Sequence, residues 1–170
     1  MKKPLSLFVI IGIAVALFSC SKGEKGAVET KAGPAPSFVL ADLNNHKVSL
    51  KDYSGKVVLL EFFATWCPPC QMAAPELKAV YEKYRDKGFV VLAISIDEGP
   101  EAVSTVRAFA ADHGLSFPLL LDDGSVSRQY GVISIPTSVI IDRQGTIRNS
   151  HMGLPPDFSA VLSKEIEALL

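Results

Sequence analysis

Cysteine is scarce in this chain of 170 residues, which holds three. That is too few for a disulfide-stapled scaffold, so the fold has to rest on a hydrophobic core. An excess of positive charge is also missing. Lysine and arginine number 17 against 18 acidic residues, for a formal net charge of −1. Without a basic footprint the chain has no electrostatic hold on nucleic acid, and none is expected as a partner. Histidine is sparse too: His46, His113 and His151 lie scattered along the chain, and each is expected at the surface. The length suits one domain. No internal repeat is visible.

Apolar stretches long enough to cross a bilayer are lacking as well. Lys2 and Lys3 precede an uncharged, mostly apolar run from Leu5 to Phe18. As a helix this run would span about 21 Å, short of a hydrocarbon core about 30 Å thick. A basic start, a short apolar centre and small residues after it describe a signal peptide over residues 1–19. The run closes on Leu17-Phe18-Ser19-Cys20, which resembles the lipobox of bacterial lipoproteins, with Phe18 bulkier than the usual occupant. The resemblance implies cleavage before Cys20 and lipidation on it, and hence a membrane as a partner through the anchor. The alternative is an ordinary secretory signal that happens to contain a cysteine. Residues 20–36, rich in Gly, Lys, Glu, Ala and Pro, have almost nothing apolar to bury and read as a flexible tether.

Residues 37–170 carry the periodicities of an α/β domain. Phe38-Val39-Leu40 and Val48-Ser49-Leu50 flank Asn44-Asn45 and predict a β-hairpin. The continuous apolar runs at residues 57–63 and 89–96 fit strands buried on both faces. Apolar groups at helical spacing between Pro69 and Lys87 predict a helix, kinked at Pro75 and ended by Gly88. A further helix at residues 101–113, a strand at 117–121, a short helix at 125–130, a hairpin at 137–150 and a closing helix from Asp157 complete the pattern. Strands alternating with helices imply a sheet that is parallel in its first half and made mixed by the last hairpin.

Two of the cysteines concentrate the chemistry. Thr65-Trp66-Cys67-Pro68-Pro69-Cys70 lies between a buried strand and a helix. If the helix begins between the thiols, the first sits at its N-terminus, where unpaired N–H groups and the dipole favour thiolate. Thiolate is the species that attacks a disulfide. Pro68 and Pro69 remove donors that a first helical turn leaves unpaired anyway. A zinc site needs a second Cys or His pair, which is absent from the sequence. Haem attachment needs His after the second cysteine, where Gln71 stands. A redox dithiol is the reading that remains. Cys67 is expected to be the exposed nucleophile and Cys70 the buried resolver. No metal and no cofactor beyond the Cys67–Cys70 disulfide itself is expected.

The segment from Phe62 to Cys70 resembles the active site of thioredoxin-like proteins, especially the TlpA/ResA group of exported, membrane-tethered thiol–disulfide oxidoreductases. Ala35-Pro36-Ser37-Phe38, Leu50-Lys51-Asp52 and Gly55-Lys56 are similar to that group's N-terminal hairpin, and residues 95–121 to its added helix and strand. The resemblance implies a thioredoxin fold: a central mixed sheet flanked by helices, with the N-terminal hairpin and an inserted α/β element. It also implies that Pro136, in Ile135-Pro136-Thr137, is the cis-proline beside the dithiol, and that Ile135 offers backbone groups to an extended substrate peptide. Trp66 would be an apolar wall shielding the sulfurs. The group commonly has Glu three residues after the second cysteine; Ala73 is here instead. Glu61 stands where thioredoxin has a buried Asp that assists proton transfer. Desolvation in an apolar strand would raise its pKa and suit it to accept a proton; the alternative is a pairing with Lys56 or another surface cation at a strand end. Asp97-Glu98 and Asp122-Asp123 read as helix-start and turn residues.

The reaction implied is dithiol–disulfide exchange with protein thiols and disulfides outside the cytoplasm. The resemblance favours a reductant, for instance of apocytochrome c, fed by a membrane electron donor because exported compartments are oxidising. Two rivals stay open. One is a thiol peroxidase of peroxiredoxin type. The other is a copper-delivery protein that adds a histidine such as His151 to the two thiols.

Overall fold

The computed structural model describes residues 33–170. The expected signal segment, Cys20 and most of the tether lie outside these residues. Seven strands form one sheet in the order β2-β1-β5-β4-β3-β6-β7. The chain enters with the hairpin β1 (Val39–Asp42) and β2 (Lys47–Ser49), then β3 (Val57–Phe63) and α1 (Pro68–Tyr84). Next come β4 (Phe89–Ser95), α2 (Ala102–His113), β5 (Leu119–Leu121) and α3 (Ser125–Gln129). The hairpin β6 (Thr137–Ile141) and β7 (Ile147–Met152) precedes the closing helix α4 (Phe158–Glu167).

The parallel strands occupy the middle of the sheet and not its first half. β3 pairs parallel with β4, and β4 with β5. β1 is antiparallel to β5, and β6 to β3. The reason is that the first hairpin adds to the far edge of β5, so the earliest strands end the sheet on one side. The start of the domain also shifts. Ile147 donates its N–H to Gly33 O at 2.9 Å, and Ala35 to Gly145 O at 2.8 Å. Gly33 to Ala35 therefore belong to the fold, ahead of the boundary expected at Ser37.

β3 is buried at all seven positions, and its pleat divides the core in two. Val57, Leu59 and Phe63 pack with Leu77 of α1, Phe109 of α2 and Leu162 of α4. Val58, Leu60 and Phe62 face the opposite side, with Phe38, Leu40 and Tyr130. Each such side chain contributes about 1.5–3 kcal/mol when fully buried. α1 continues through Pro75 to Tyr84. Gly88 ends the turn that follows, with φ 93, a left-handed conformation that costs a residue without Cβ nothing.

Candidate active site

β3 delivers the chain from the core to the top of α1. Cys67 is the N-cap of that helix, with extended backbone (φ −89, ψ 111). Its Sγ accepts the N–H of Cys70 at 3.3 Å. Pro68 and Pro69 fill the first turn, where no donor is missed. Cys67 and Cys70 form a disulfide, with their Cα atoms 5.2 Å apart. A helix N-terminus with one N–H aimed at Sγ stabilises negative charge on Cys67 once the bond is reduced.

The loop before β6 closes over the dithiol. Ile135-Pro136 is a cis peptide, as the resemblance implied. Ile135 O lies 3.9 Å from Cys67 Sγ. Thr137 Oγ1 donates to Ser134 O at 2.7 Å and Gly153 N to Pro136 O at 2.7 Å, which fix the loop to its own strand and to the end of β7. Pro68 and Pro69 are exposed, as are Trp66, Met72 and Ile133. Trp66 is two-thirds exposed (66 %), so it stands beside the sulfurs as an open apolar face more than as a covering wall.

One expectation fails here. Cys67 is no more exposed than Cys70, at 4 % against 3 %. The carbonyl of Ile135 lies against its sulfur, and the residue is tucked into the cap of α1. The two thiols differ in surroundings instead. Cys67 has the helix terminus and the Ile135 carbonyl, at the seam between two loops. Cys70 lines a small apolar cavity with Glu61, Phe63, Ala93 and Phe109. The volume is about 20 Å3, space for about one water molecule.

Glu61 is 3 % exposed and is not paired with Lys56. Its Oε2 accepts the hydroxyl of Ser138 at 2.5 Å, and its Oε1 is buried without a hydrogen-bond partner. Burial pushes its carboxyl up to about 7, with the Ser138 hydrogen bond pulling the other way. An orphaned carboxylate oxygen in an apolar cavity is costly. Such an atom is a place to look for function.

Asp97 was expected to be a helix-start or turn residue and is a buried support of the site. Its carboxylate accepts from Thr65 N at 2.9 Å, Thr65 Oγ1 at 2.6 Å and Ser95 Oγ at 2.7 Å. Gln71 Nε2 donates to Thr65 O at 2.8 Å, so the residue two before Cys67 is held on both sides. Asp122 behaves as expected: it receives the N–H groups of Val126 and Ser127 at the start of α3. His46 is exposed, but His113 and His151 are half-buried. His113 stacks on Phe109 with ring centroids 4.3 Å apart. His151 Nε2 meets Glu165 Oε2 at 2.8 Å, which engages the histidine offered as an example of a copper ligand. Among the described residues no group of three or more metal-binding side chains occurs.

Known proteins are similar to this chain in sequence and in fold. The model of the AhpC/TSA family matches residues 32–150. The thioredoxin-like protein YneN of Bacillus subtilis is 40 % identical over 133 residues, 78 % of this chain and 76 % of that one. The thiol-disulfide oxidoreductase ResA of Bacillus cereus is 40 % identical over 128 residues, 75 % and 70 % of the two chains. A crystal structure of a Chlorobium tepidum protein assigned as the thiol:disulfide interchange protein DsbE superposes with a TM-score of 0.74 at 34 % identity, covering 81 % of this chain and 96 % of that one. A dithiol at a helix N-terminus, a cis-proline loop against it and this set of relatives agree: the chain belongs to the AhpC/TSA family and is a thioredoxin-fold thiol–disulfide oxidoreductase of the ResA and DsbE type.

Proposed function

We propose that the protein works outside the cytoplasm, tethered to a membrane through Cys20, as a reductant of disulfides in protein substrates. The observation that carries the proposal is the asymmetry of the dithiol: Cys67 caps a helix beside the Ile135 carbonyl, and Cys70 backs onto the cavity of Glu61. In the reduced enzyme Cys67 thiolate attacks one sulfur of a substrate disulfide. The substrate S–S bond breaks, a mixed disulfide forms, and the leaving sulfur departs as thiolate. Cys70 then gives its proton to Glu61 and attacks Cys67 Sγ. The second substrate thiolate leaves, and two electrons have passed from the enzyme dithiol to the substrate. A membrane-borne donor of two electrons returns Cys67 and Cys70 to thiols. Ile135 supports this role by offering backbone groups beside the sulfur to an extended peptide. Trp66, Pro68 and Pro69 supply exposed contact on the other side. The disulfide of an oxidised apocytochrome c, whose cysteines must be thiols before haem attachment, is a fitting substrate class.

The experiment is the reduction potential of the Cys67–Cys70 pair. A value near −270 mV, that of thioredoxin, fits a reductant, and one near −120 mV, about that of DsbA, reverses the direction. The tether has a separate test. Wild-type protein should sediment with membranes and Cys20→Ala should not. Soluble wild-type protein with another mature N-terminus removes the anchor and leaves the dithiol chemistry standing.

A further inference from the structure

β6 carries a residue that neither the dithiol nor the cis-proline loop accounts for. Ser138 lies two positions after Pro136 and directly opposite Glu61 in the antiparallel β3–β6 register. Opposed residues of such a pair project from the same face of the sheet. Ser138 is 1 % exposed. Its hydroxyl has one partner, Glu61 Oε2. The carboxylate thus has two unlike oxygens: Oε2 is tied to the sheet, and Oε1 is buried with no partner. The cavity that Glu61 lines is otherwise apolar, and Cys70 is the one other ionisable group among its lining residues. β4 contributes Ala93, α1 contributes Ala73, Ala74 and Leu77, and α2 contributes Phe109, so no charge from these elements faces the carboxylate.

We propose that Ser138 is the positioning residue of the proton acceptor: by holding Oε2 it presents Oε1 to Cys70 as the single free oxygen. This rests on the reading of Glu61 given above. The hydroxyl donates to the charged form of the carboxylate and so favours ionisation against the desolvation that opposes it. Without the hydroxyl, Glu61 would hold its proton to higher pH, and fewer enzyme molecules would be able to deprotonate Cys70 at neutrality. The same strand therefore serves both halves of the reaction. The loop leading into it carries Ile135 and Pro136 beside the attacking thiol, and its second residue, Ser138, holds the base for the resolving step.

The test uses the reduced full-length protein and an aromatic disulfide, 5,5′-dithiobis(2-nitrobenzoate). Attack by Cys67 releases one coloured thiolate, and attack by Cys70 on the resulting mixed disulfide releases the second, so one trace separates the two steps. Ser138→Ala should leave the first release unchanged. It should move the acid limb of the second to higher pH by about one unit, an effect in the range of one hydrogen bond to a charged group. At pH 7 the second step should slow by about five-fold, and near pH 9 the difference should vanish. Ser138→Thr keeps the hydroxyl and should retain the wild-type profile. Ser138→Val has the shape of threonine without the hydroxyl and should behave as alanine does, which separates hydrogen bonding from packing if the alanine variant is unstable. Threonine and valine variants with the same pH profile overturn the role of Ser138. If they match while Glu61→Gln abolishes the acid limb, Glu61 stands as the acceptor and only its positioning by Ser138 falls. If Glu61→Gln leaves the second release unchanged, the acceptor and its positioning residue fall together.

Discussion

Thr65 gives both its backbone N–H and its hydroxyl to the carboxylate of Asp97, which lies just past the end of β4 and 32 residues further along the chain. That pair of hydrogen bonds ties the segment leading into Cys67 to the strand beside it. The active-site turn is thus fixed from two directions, by α1 after the dithiol and by β4 before it. Asp97→Ala strands three donors in a part-buried setting. Each hydrogen bond to a charged group is worth about 1.5–3 kcal/mol, so a loss of about 3 kcal/mol in unfolding free energy is expected even after partial rescue by water. Urea unfolding of the oxidised protein measures it. The first thiol exchange of the reduced protein should slow as well, because the cap that holds Cys67 loosens. Wild-type stability in Asp97→Ala would mean that the network is decoration on a turn fixed by other contacts.

Glu61 makes the stability of the protein depend on pH in a calculable direction. In the folded chain its carboxyl holds its proton up to about 7, against 4.5 for an ordinary glutamate. Below pH 4.5 both folded and unfolded chains are protonated at this position, and its contribution is fully present. Between pH 4.5 and 7 the unfolded chain releases the proton first, so stability falls with rising pH. Above 7 the loss is complete, at about 3 kcal/mol. Glu61→Gln does not titrate. Its stability relative to wild type should therefore improve by about 3 kcal/mol between pH 4.5 and pH 8, measured on the oxidised forms. A difference that stays constant across that range would show that Glu61 ionises as easily as an exposed carboxylate.

Much of this was legible in the sequence, and the failures share a cause. The buried runs of β3 and β4 announced themselves because a strand covered on both faces has no polar side. Cys67 and Cys70 were legible because their spacing, with prolines between, has few uses. Pro136 was identified only through the family, since nothing local distinguishes a cis-proline from a strand-entry proline. Asp97 and Ser138 were missed because their partners, Thr65 and Glu61, are 32 and 77 residues away. A hydrogen bond between distant residues leaves no period in the chain. A lone Asp after a strand looks the same whether it faces water or a neighbouring loop. One signal did exist for Ser138. Given the cis-proline strand beside β3, a small polar residue in register with a buried glutamate was the natural candidate for its partner. The exposure of Cys67 was misjudged for a related reason: the Ile135 carbonyl beside its sulfur comes from residue 135, far down the chain.

The roles of the two thiols are separable even though their exposures are alike. Cys70→Ser leaves Cys67 at the helix N-terminus with no partner to resolve the mixed disulfide, so covalent complexes with protein substrates should accumulate through Cys67. Cys67→Ser leaves Cys70 facing the Glu61 cavity, away from the Ile135 carbonyl, and should trap little. Non-reducing electrophoresis of the two variants after incubation with an oxidised protein substrate reads the difference. Equal trapping by both would reverse or abolish the assignment.

Ile133 offers a test of whether the substrate is a protein. It is the most exposed large hydrophobic side chain of the described residues, at 84 %, and it lies two residues before the carbonyl that touches Cys67. Because the side chain is already in water, Ile133→Ser removes no core packing, and its effect on stability should stay within about 0.5 kcal/mol. An apolar group held in solvent at the rim of a site gains free energy only when something covers it, at about 25 cal/mol per Å2. Covering much of one isoleucine therefore contributes about 2 kcal/mol to a complex, or about thirty-fold in affinity. The reaction with glutathione disulfide, too small to reach across the rim, should be unchanged by Ile133→Ser. The reaction with an unfolded protein disulfide should show KM raised by about ten-fold or more with kcat unaltered, since contact with Ile133 is made in the ground state and kept in the transition state. Equal rates for variant and wild type on the protein disulfide would place the docking peptide on the other side of the dithiol, along Trp66 and Met72.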